Sequence, residues 1–451
     1  MRIVIVGNGV AGIEAALTVR AREPGWSVTI VSEESDQFFS RTALMYVLAG
    51  QLSYRDIEPL ERDVYHRLGF VRVRARVVGI EPGAVRLSTG ATVPFDRLLI
   101  AAGSRPRSGP WPGADLPGVG HFVTLQDLQW LEQELHGRSG VDLPPNPDAH
   151  LPTAPDSPYR ARTVAATARR RRPSHPVVVG GGLIGIESVE TMLAAGLRPT
   201  FVIREDWFWP IALDARESAW IADALRHHGV DVRIGETVDR LEPADDGTVA
   251  RVVTDRGPIE ADLVVVAIGV VPNTAWLGDA VARDAAGGIL VDAQLRTSVP
   301  GVWAAGDCAS VRWANGWVRP EQLWYTARDQ GRVAGRQLLG DDATYRRGTW
   351  YNSAKLMDLE YTTVGSVNLD LPGEQSWFHQ EAGRVRSTTR LVHRDGCLIG
   401  ANFLGRRWDH AVLARWIEER RSLAFAVDHL AEAAFDTEFV PPLVVPRSGT
   451  V

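Results

Sequence analysis

Arg2-Ile3-Val4-Ile5-Val6-Gly7-Asn8-Gly9-Val10-Ala11-Gly12 opens the chain: a short, mostly apolar strand running into three glycines at fixed offsets. Gly7 permits a tight turn, Gly9 lets backbone approach a diphosphate, and Gly12 lets a helix pack close to the strand. Helical pattern follows from Ile13 to about Arg22, so the diphosphate would sit at a helix N-terminus, where unpaired amides and the dipole favour anions. A second strand, Ser27 to Val31, leads to Glu33. That places a carboxylate about 20 residues past the turn, where it can bond ribose hydroxyls. Three glycines alone are a weak signal. With the strand before, the helix after and the acid at this distance, they read as a dinucleotide site.

The pattern occurs twice. Pro176–Val179 is a strand, Gly180-Gly181-Gly182-Leu183-Ile184-Gly185 a turn, Ile186 to Ala195 a helix and Arg198 to Ile203 the next strand. Gly180, Gly182 and Gly185 repeat the roles of Gly7, Gly9 and Gly12. Two such units imply two dinucleotides, or one plus a relic. Here Ile203 holds the usual acidic position, with Arg204 and Glu205 after it. Arg204 suits a 2′-phosphate and Glu205 a ribose, so NAD and NADP both stay open.

Outward from these units, strands are expected at 70–78 and 84–87. Two buried strands end in glycine turns, at Ala101-Ala102-Gly103 and Ala267-Ile268-Gly269, and a strand at Gly301–Ala304 runs into an acidic turn at Asp307. Helical pattern covers 321–339. Residues 137–175 are rich in proline and small polar residues and include the run Arg169–Arg172, which reads as a solvated linker ahead of a patch that steers an acidic protein. The last hundred or so residues show short strands, a hairpin turn at Asp395-Gly396 and helices at 409–421 and 423–433. The expected fold is α/β: two Rossmann-like nucleotide-binding domains and a C-terminal α+β domain. The boundaries are 1–136 with 300–342 for the first, 137–175 for an insertion, 176–299 for the second and 343–451 for the third.

Bulk properties narrow the function. A chain of 451 residues fits two or three domains. A net charge of −6 lends no support to nucleic-acid binding. Two distant cysteines, Cys308 and Cys397, supply neither a local redox disulfide nor the ligands of a metal or iron–sulfur centre. No apolar run is long enough for a bilayer and the chain enters its first strand directly, so a cytoplasmic protein without a membrane role is expected. Lysine occurs once, at Lys355, among abundant arginines.

The two glycine motifs, with Ala101-Ala102-Gly103, Ala267-Ile268-Gly269 and Ala305-Gly306-Asp307-Cys308, make the chain resemble the pyridine-nucleotide–disulfide oxidoreductase superfamily over residues 1–340. The resemblance implies FAD on the first motif, NAD(P)H on the second, and cofactor contacts at the Gly103 and Gly269 turns. It places Asp307 at the FAD ribitol or pyrophosphate, against the plain reading of a turn-capping aspartate. It places Glu187 near the flavin–nicotinamide contact, against an ordinary first-turn carboxylate favoured by the helix dipole. Where redox-thiol members of the superfamily carry cysteine, this chain reads Phe38-Phe39-Ser40-Arg41-Thr42-Ala43. Arg41 and Thr42 would lie near the isoalloxazine or only hold the FAD diphosphate.

Within the superfamily, Glu321-Gln322-Leu323-Trp324-Tyr325 is similar to a helix start in ferredoxin and rubredoxin reductases. Trp324 would shield or relay at the flavin edge, or serve only as an interface aromatic. Oxygenase-coupled members carry Trp-Ser-Asp-Gln where this chain has Trp350-Tyr351-Asn352-Ser353-Ala354-Lys355. Lys355 would approach the flavin, where a cation stabilises the reduced form, or remain a surface lysine. The implied function is an FAD-dependent NAD(P)H oxidoreductase whose electrons leave to a ferredoxin- or rubredoxin-like protein. An oxidase, a quinone or small-molecule reductase, and a redox-responsive binding protein resembling apoptosis-inducing factor are the alternatives, and a homodimer is left open.

Overall fold

The computed structural model describes residues 1–137, 172–313, 316–381, 386–435 and 443. Most of the expected insertion, with Arg169 to Arg171, lies outside the described residues.

Two parallel sheets organise the first three-quarters of the chain. The first runs Val302–Ala304, Arg97–Ile100, Arg2–Val6, Ser27–Ser32, Phe70–Arg74. In chain order that is 5-4-1-2-3, so the chain reverses direction beside Arg2–Val6, and such a switch point is where nucleotides bind. Its central strands are mostly apolar because helices Val10–Arg22 and Trp324–Leu339 cover one face and the antiparallel strands Val77–Glu81 and Ala84–Leu87 pack on the other. The second sheet runs Asp231–Ile234, Thr200–Ile203, Pro176–Val179, Leu263–Val266, Val119–Gly120 and has the same switch beside Pro176–Val179.

The helices after the glycine turns start earlier than the sequence suggests, at Val10 and at Leu183. Their first turns lie against the glycines, where hydrophobic periodicity carries no signal. The helix expected from 321 begins at Trp324. The strand expected over 70–78 is two strands. Phe70–Arg74 belongs to the parallel sheet, and Val77–Glu81 opens a separate antiparallel sheet with Ala84–Leu87 and Thr92–Pro94.

The linear boundaries also shift. Val119–Gly120 pairs with Leu263–Val266, and the Leu125–His136 helix packs into the core of the second unit. Leu277, Val281 and Ile289 pack into the first. The chain therefore crosses between the units on two antiparallel strands, Ser104–Pro106 and Val270–Pro272. Each follows a glycine in the left-handed region, Gly103 at φ +66 and Gly269 at φ +95.

The C-terminal unit is an antiparallel sheet ordered Tyr351–Leu356, Leu359–Gly365, Cys397–Leu404, Ser387–Arg394, Glu374–Glu381. The expected hairpin is present, with Asp395 and Gly396 both at positive φ. Helices His410–Glu418 and Leu423–Asp428 cover one face; Leu356, Tyr361 and Leu404 join the core of the second unit on the other. Arg390 locks this junction. It is fully buried and donates to Glu217 at 3.0 Å, to the Ala212 carbonyl at 2.7 Å, to the Val367 carbonyl at 2.8 Å and to Asn368 at 2.9 Å.

Candidate active site

One cavity of about 1880 Å³ lies where the three units meet. A drug-sized ligand needs roughly 300–1,000 Å³, so this space holds something larger. From the first unit its wall takes Gly7, Gly9, Glu33, Arg41, Thr42, Gly103 and Asp307. The second unit adds Gly182, Glu187 and Gly269, the C-terminal unit adds Lys355, and Trp324 completes it.

The two glycine turns are structural copies. Gly7 and Gly180 sit at φ +115 and +120, and a Cβ on either would meet the carbonyl oxygen of Ala101 or Ala267 at 2.0 and 2.3 Å. A Cβ on Gly12 or Gly185 would meet the Gly7 or Gly180 carbonyl oxygen at 2.1 and 2.0 Å, so the helix can approach only without one. Gly9 and Gly182 face open space instead. Each is the N-cap of its helix, with no side-chain cap bond and no acid in the first turn. The Leu125–His136 and Ala215–His227 helices, by contrast, are capped by Thr124 and Asp214. The first-turn amides of the glycine helices thus stay available to an anion in the cavity. This fits the diphosphates of two dinucleotides.

Around the first turn, Tyr65 accepts from the Phe38 amide at 2.9 Å and donates to the Asn8 side chain at 2.8 Å, pinning the turn to the segment that carries Arg41. Arg41 pairs with buried Glu34 at 2.5 Å and donates to the Val123 carbonyl at 2.6 Å. Its guanidinium is held at the wall. Asp307 accepts from Ser104 at 2.8 Å. Burial pushes its carboxyl above the usual range, while the Ser104 hydroxyl and the Arg41 charge pull the other way.

On the opposite wall, burial raises Glu187 to about 8, helped by the charge of Glu190 one helical turn on. Glu190 itself rises to about 7 through burial. It accepts from the Met357 amide and feels Lys355, and both oppose that rise. Lys355 is thus within electrostatic reach of a carboxylate of the second unit while lining the same cavity. Trp324 meets Tyr325 edge to face at 5.5 Å, with Arg328 5.4 Å over its ring.

Arg204 and Glu205 do not line the cavity; they pair with each other at 2.8 Å on the surface. Neither cysteine lines it, and Cys308 is fully buried, which raises its thiol to about 12. Sequence reading missed Glu34, Tyr65 and Glu190. It also missed a rim cluster in which Arg319 and Arg347 each lie 3.9 Å from the Trp313 ring and Arg347 grips Glu321 at 2.7 Å. These residues are brought together by tertiary packing, and no local spacing announces them.

The family model for pyridine nucleotide-disulphide oxidoreductases matches residues 1–331. The chain belongs to this family. It is an FAD-dependent NAD(P)H oxidoreductase of ferredoxin-reductase-like fold. Rhodocoxin reductase of Rhodococcus erythropolis is 29% identical over 99% of this chain and 95% of that protein. The ferredoxin–NAD(+) reductase component of the p-cumate 2,3-dioxygenase system of Pseudomonas putida is 28% identical over 94% of each. Putidaredoxin reductase, in its covalent complex with putidaredoxin, superposes with a TM-score of 0.76 at 22% identity over 93% of each chain, which shows the shared fold. The disulfide chemistry in the family's name has no thiol in this cavity to act through. Among the described residues no helix is long and apolar enough to cross a membrane.

Proposed function

We propose that this oxidoreductase is the reductase half of a cytoplasmic electron-transfer pair, taking a hydride from NAD(P)H and delivering electrons to a small iron–sulfur protein of the ferredoxin or rubredoxin type. The carrying observation is that both glycine turns open onto one cavity whose described wall contains no thiol. Electrons entering there have no side-chain disulfide to reduce, so they leave the protein. Two of the relatives at about this chain's full length have ferredoxin-type reductase names, which supports the same acceptor class.

FAD, when bound, supplies the hydride acceptor and the split into single electrons. Everything else falls to the chain. Gly9 and Gly182 admit the two diphosphates to their helix N-termini. Glu33 binds the ribose of the first nucleotide, and Asp307, steadied by Ser104, binds the ribitol or pyrophosphate region. Arg41 and Thr42 form the wall beside the ring system, and Trp324 closes its edge. Glu187 orients the nicotinamide carboxamide against it. Arg204 and Glu205 follow the Thr200–Ile203 strand outside the cavity wall, so they would meet only a part of the second nucleotide that projects beyond it.

The test is an acceptor screen on the yellow, purified protein. NAD(P)H should bleach it anaerobically, and a small iron–sulfur protein should reoxidise it at least about tenfold faster than oxygen or a quinone. Faster turnover with oxygen or quinone would replace this acceptor class. A long-lived reduced complex that no acceptor discharges would point to a redox-responsive binding protein.

A further inference from the structure

Passing a hydride's two electrons to one-electron carriers leaves a proton behind. The balance is NAD(P)H + 2 A(ox) → NAD(P)⁺ + 2 A(red) + H⁺, with A the iron–sulfur protein proposed above. The proton is set free inside the cavity, and the cavity must let it out.

We infer that Glu187 and Glu190 form a proton outlet leading from the cavity wall, beneath the Lys355–Asp358 turn, to the protein surface at Asp358 and His228. This rests on the reductase reading. The two carboxylates are three residues apart on the Leu183–Ala194 helix and so share one face. Glu187 lines the cavity, whereas Glu190 does not. Glu190 points under the turn between Tyr351–Leu356 and Leu359–Gly365, where the Met357 amide donates to it. Met357 holds a positive φ of +54 in that hairpin turn. Beyond the turn, exposed Asp358 lies 3.4 Å from the imidazole of His228, which follows the Ala215–His227 helix. The line of groups thus runs from cavity to solvent in three steps.

The charges support exchange along this line. Two desolvated carboxylates this close cannot both ionise easily, so near neutral pH the pair shares a proton. Lys355 and the Met357 amide favour the anion on Glu190, and Asp358 opposes it. Of the other elements against this helix, Leu44–Leu48 brings only Tyr46, and Pro176–Val179 and Leu263–Val266 bring no ionisable side chain. A proton on Glu187 can pass to Glu190, which releases it toward Asp358. Glu187 then takes the proton left in the cavity. No atom or electron is left over.

E190Q separates this from an anchoring role, because the amide oxygen still accepts from Met357 but exchanges no proton. In multiple turnover with an iron–sulfur acceptor, E190Q should slow at least about tenfold, and proton release to an indicator dye should lag electron transfer. E190D should restore both. Infrared titration of the protein should show a protonated-carboxyl band that disappears between neutral and mildly alkaline pH and is missing in E187Q. Wild-type turnover rate and pH profile in E190Q, or no such band in the wild type, would overturn the outlet. A wild-type protein that NAD(P)H does not bleach would instead overturn the reductase reading.

Discussion

Glu187 shows how far one side chain is set by its surroundings. In sequence it is a first-turn acid that the helix dipole should keep ionised. In the fold the helix begins at Leu183, so Glu187 lies past the first turn, and burial together with Glu190 lifts it to about 8. A carboxyl whose folded value lies above its unfolded value adds stability at acidic pH and loses it as pH climbs from the unfolded range near 4.5 through about 8. Wild type should therefore lose stability relative to Glu187→Gln across that window, on the order of a few kcal/mol. Paired thermal melts from pH 5 to pH 9 would measure it, and a flat difference would show the site to be wetter than its packing indicates. That Gly9 and Glu33 line the cavity was legible because backbone geometry ties them to the glycine motif, whereas Asp307 was reached through the family resemblance. Glu190 was not, because what makes it matter is a hairpin more than 150 residues away.

At the level of elements, the strand–turn–helix units could be read directly, since period-two and 3.6-residue patterns are local and the glycines between them have steric causes. The exchanges between units could not. Val119–Gly120 is two residues of edge strand, too short to carry periodicity, yet it completes the second sheet. The seating of the C-terminal sheet is likewise invisible in sequence, because it turns on Arg390 meeting Glu217 from 173 positions away. Glu217 is wholly buried, and burial raises its carboxyl against the pull of Arg390. Removing the cation strands an acid in the core. Arg390→Met should cost about 3–5 kcal/mol in urea unfolding, and adding Glu217→Gln should recover part of it. A loss under about 1 kcal/mol would mean the pair only fills space at this junction. The hairpin bearing Lys355 and Met357 hangs from the same sheet, so the clamp also sets the position of both over the Leu183–Ala194 helix.

For the molecule as a whole, the cavity is a joint product: the first unit brings Gly9 and Asp307, the second Gly182 and Glu187, and the C-terminal unit Lys355. A ligand that fills it touches surfaces belonging to three cores, and its binding energy is shared by all of them. FAD should accordingly stabilise more than the unit whose glycine turn holds it. Saturation at a hundred times the dissociation constant adds about 2.7 kcal/mol to whatever unfolds together with the site. Calorimetry of deflavinated protein, with and without added FAD, should show the C-terminal unit melting later once FAD is present, and NAD⁺ added afterwards should raise the transition again. Arg390→Met should uncouple this response, leaving a C-terminal transition that ignores FAD while the first unit still answers to it. If the C-terminal unit of the wild type already melts at a temperature independent of FAD, then its contribution to the cavity wall is passive. In that case Lys355 and the hairpin sit at the site without being held there by what the site binds.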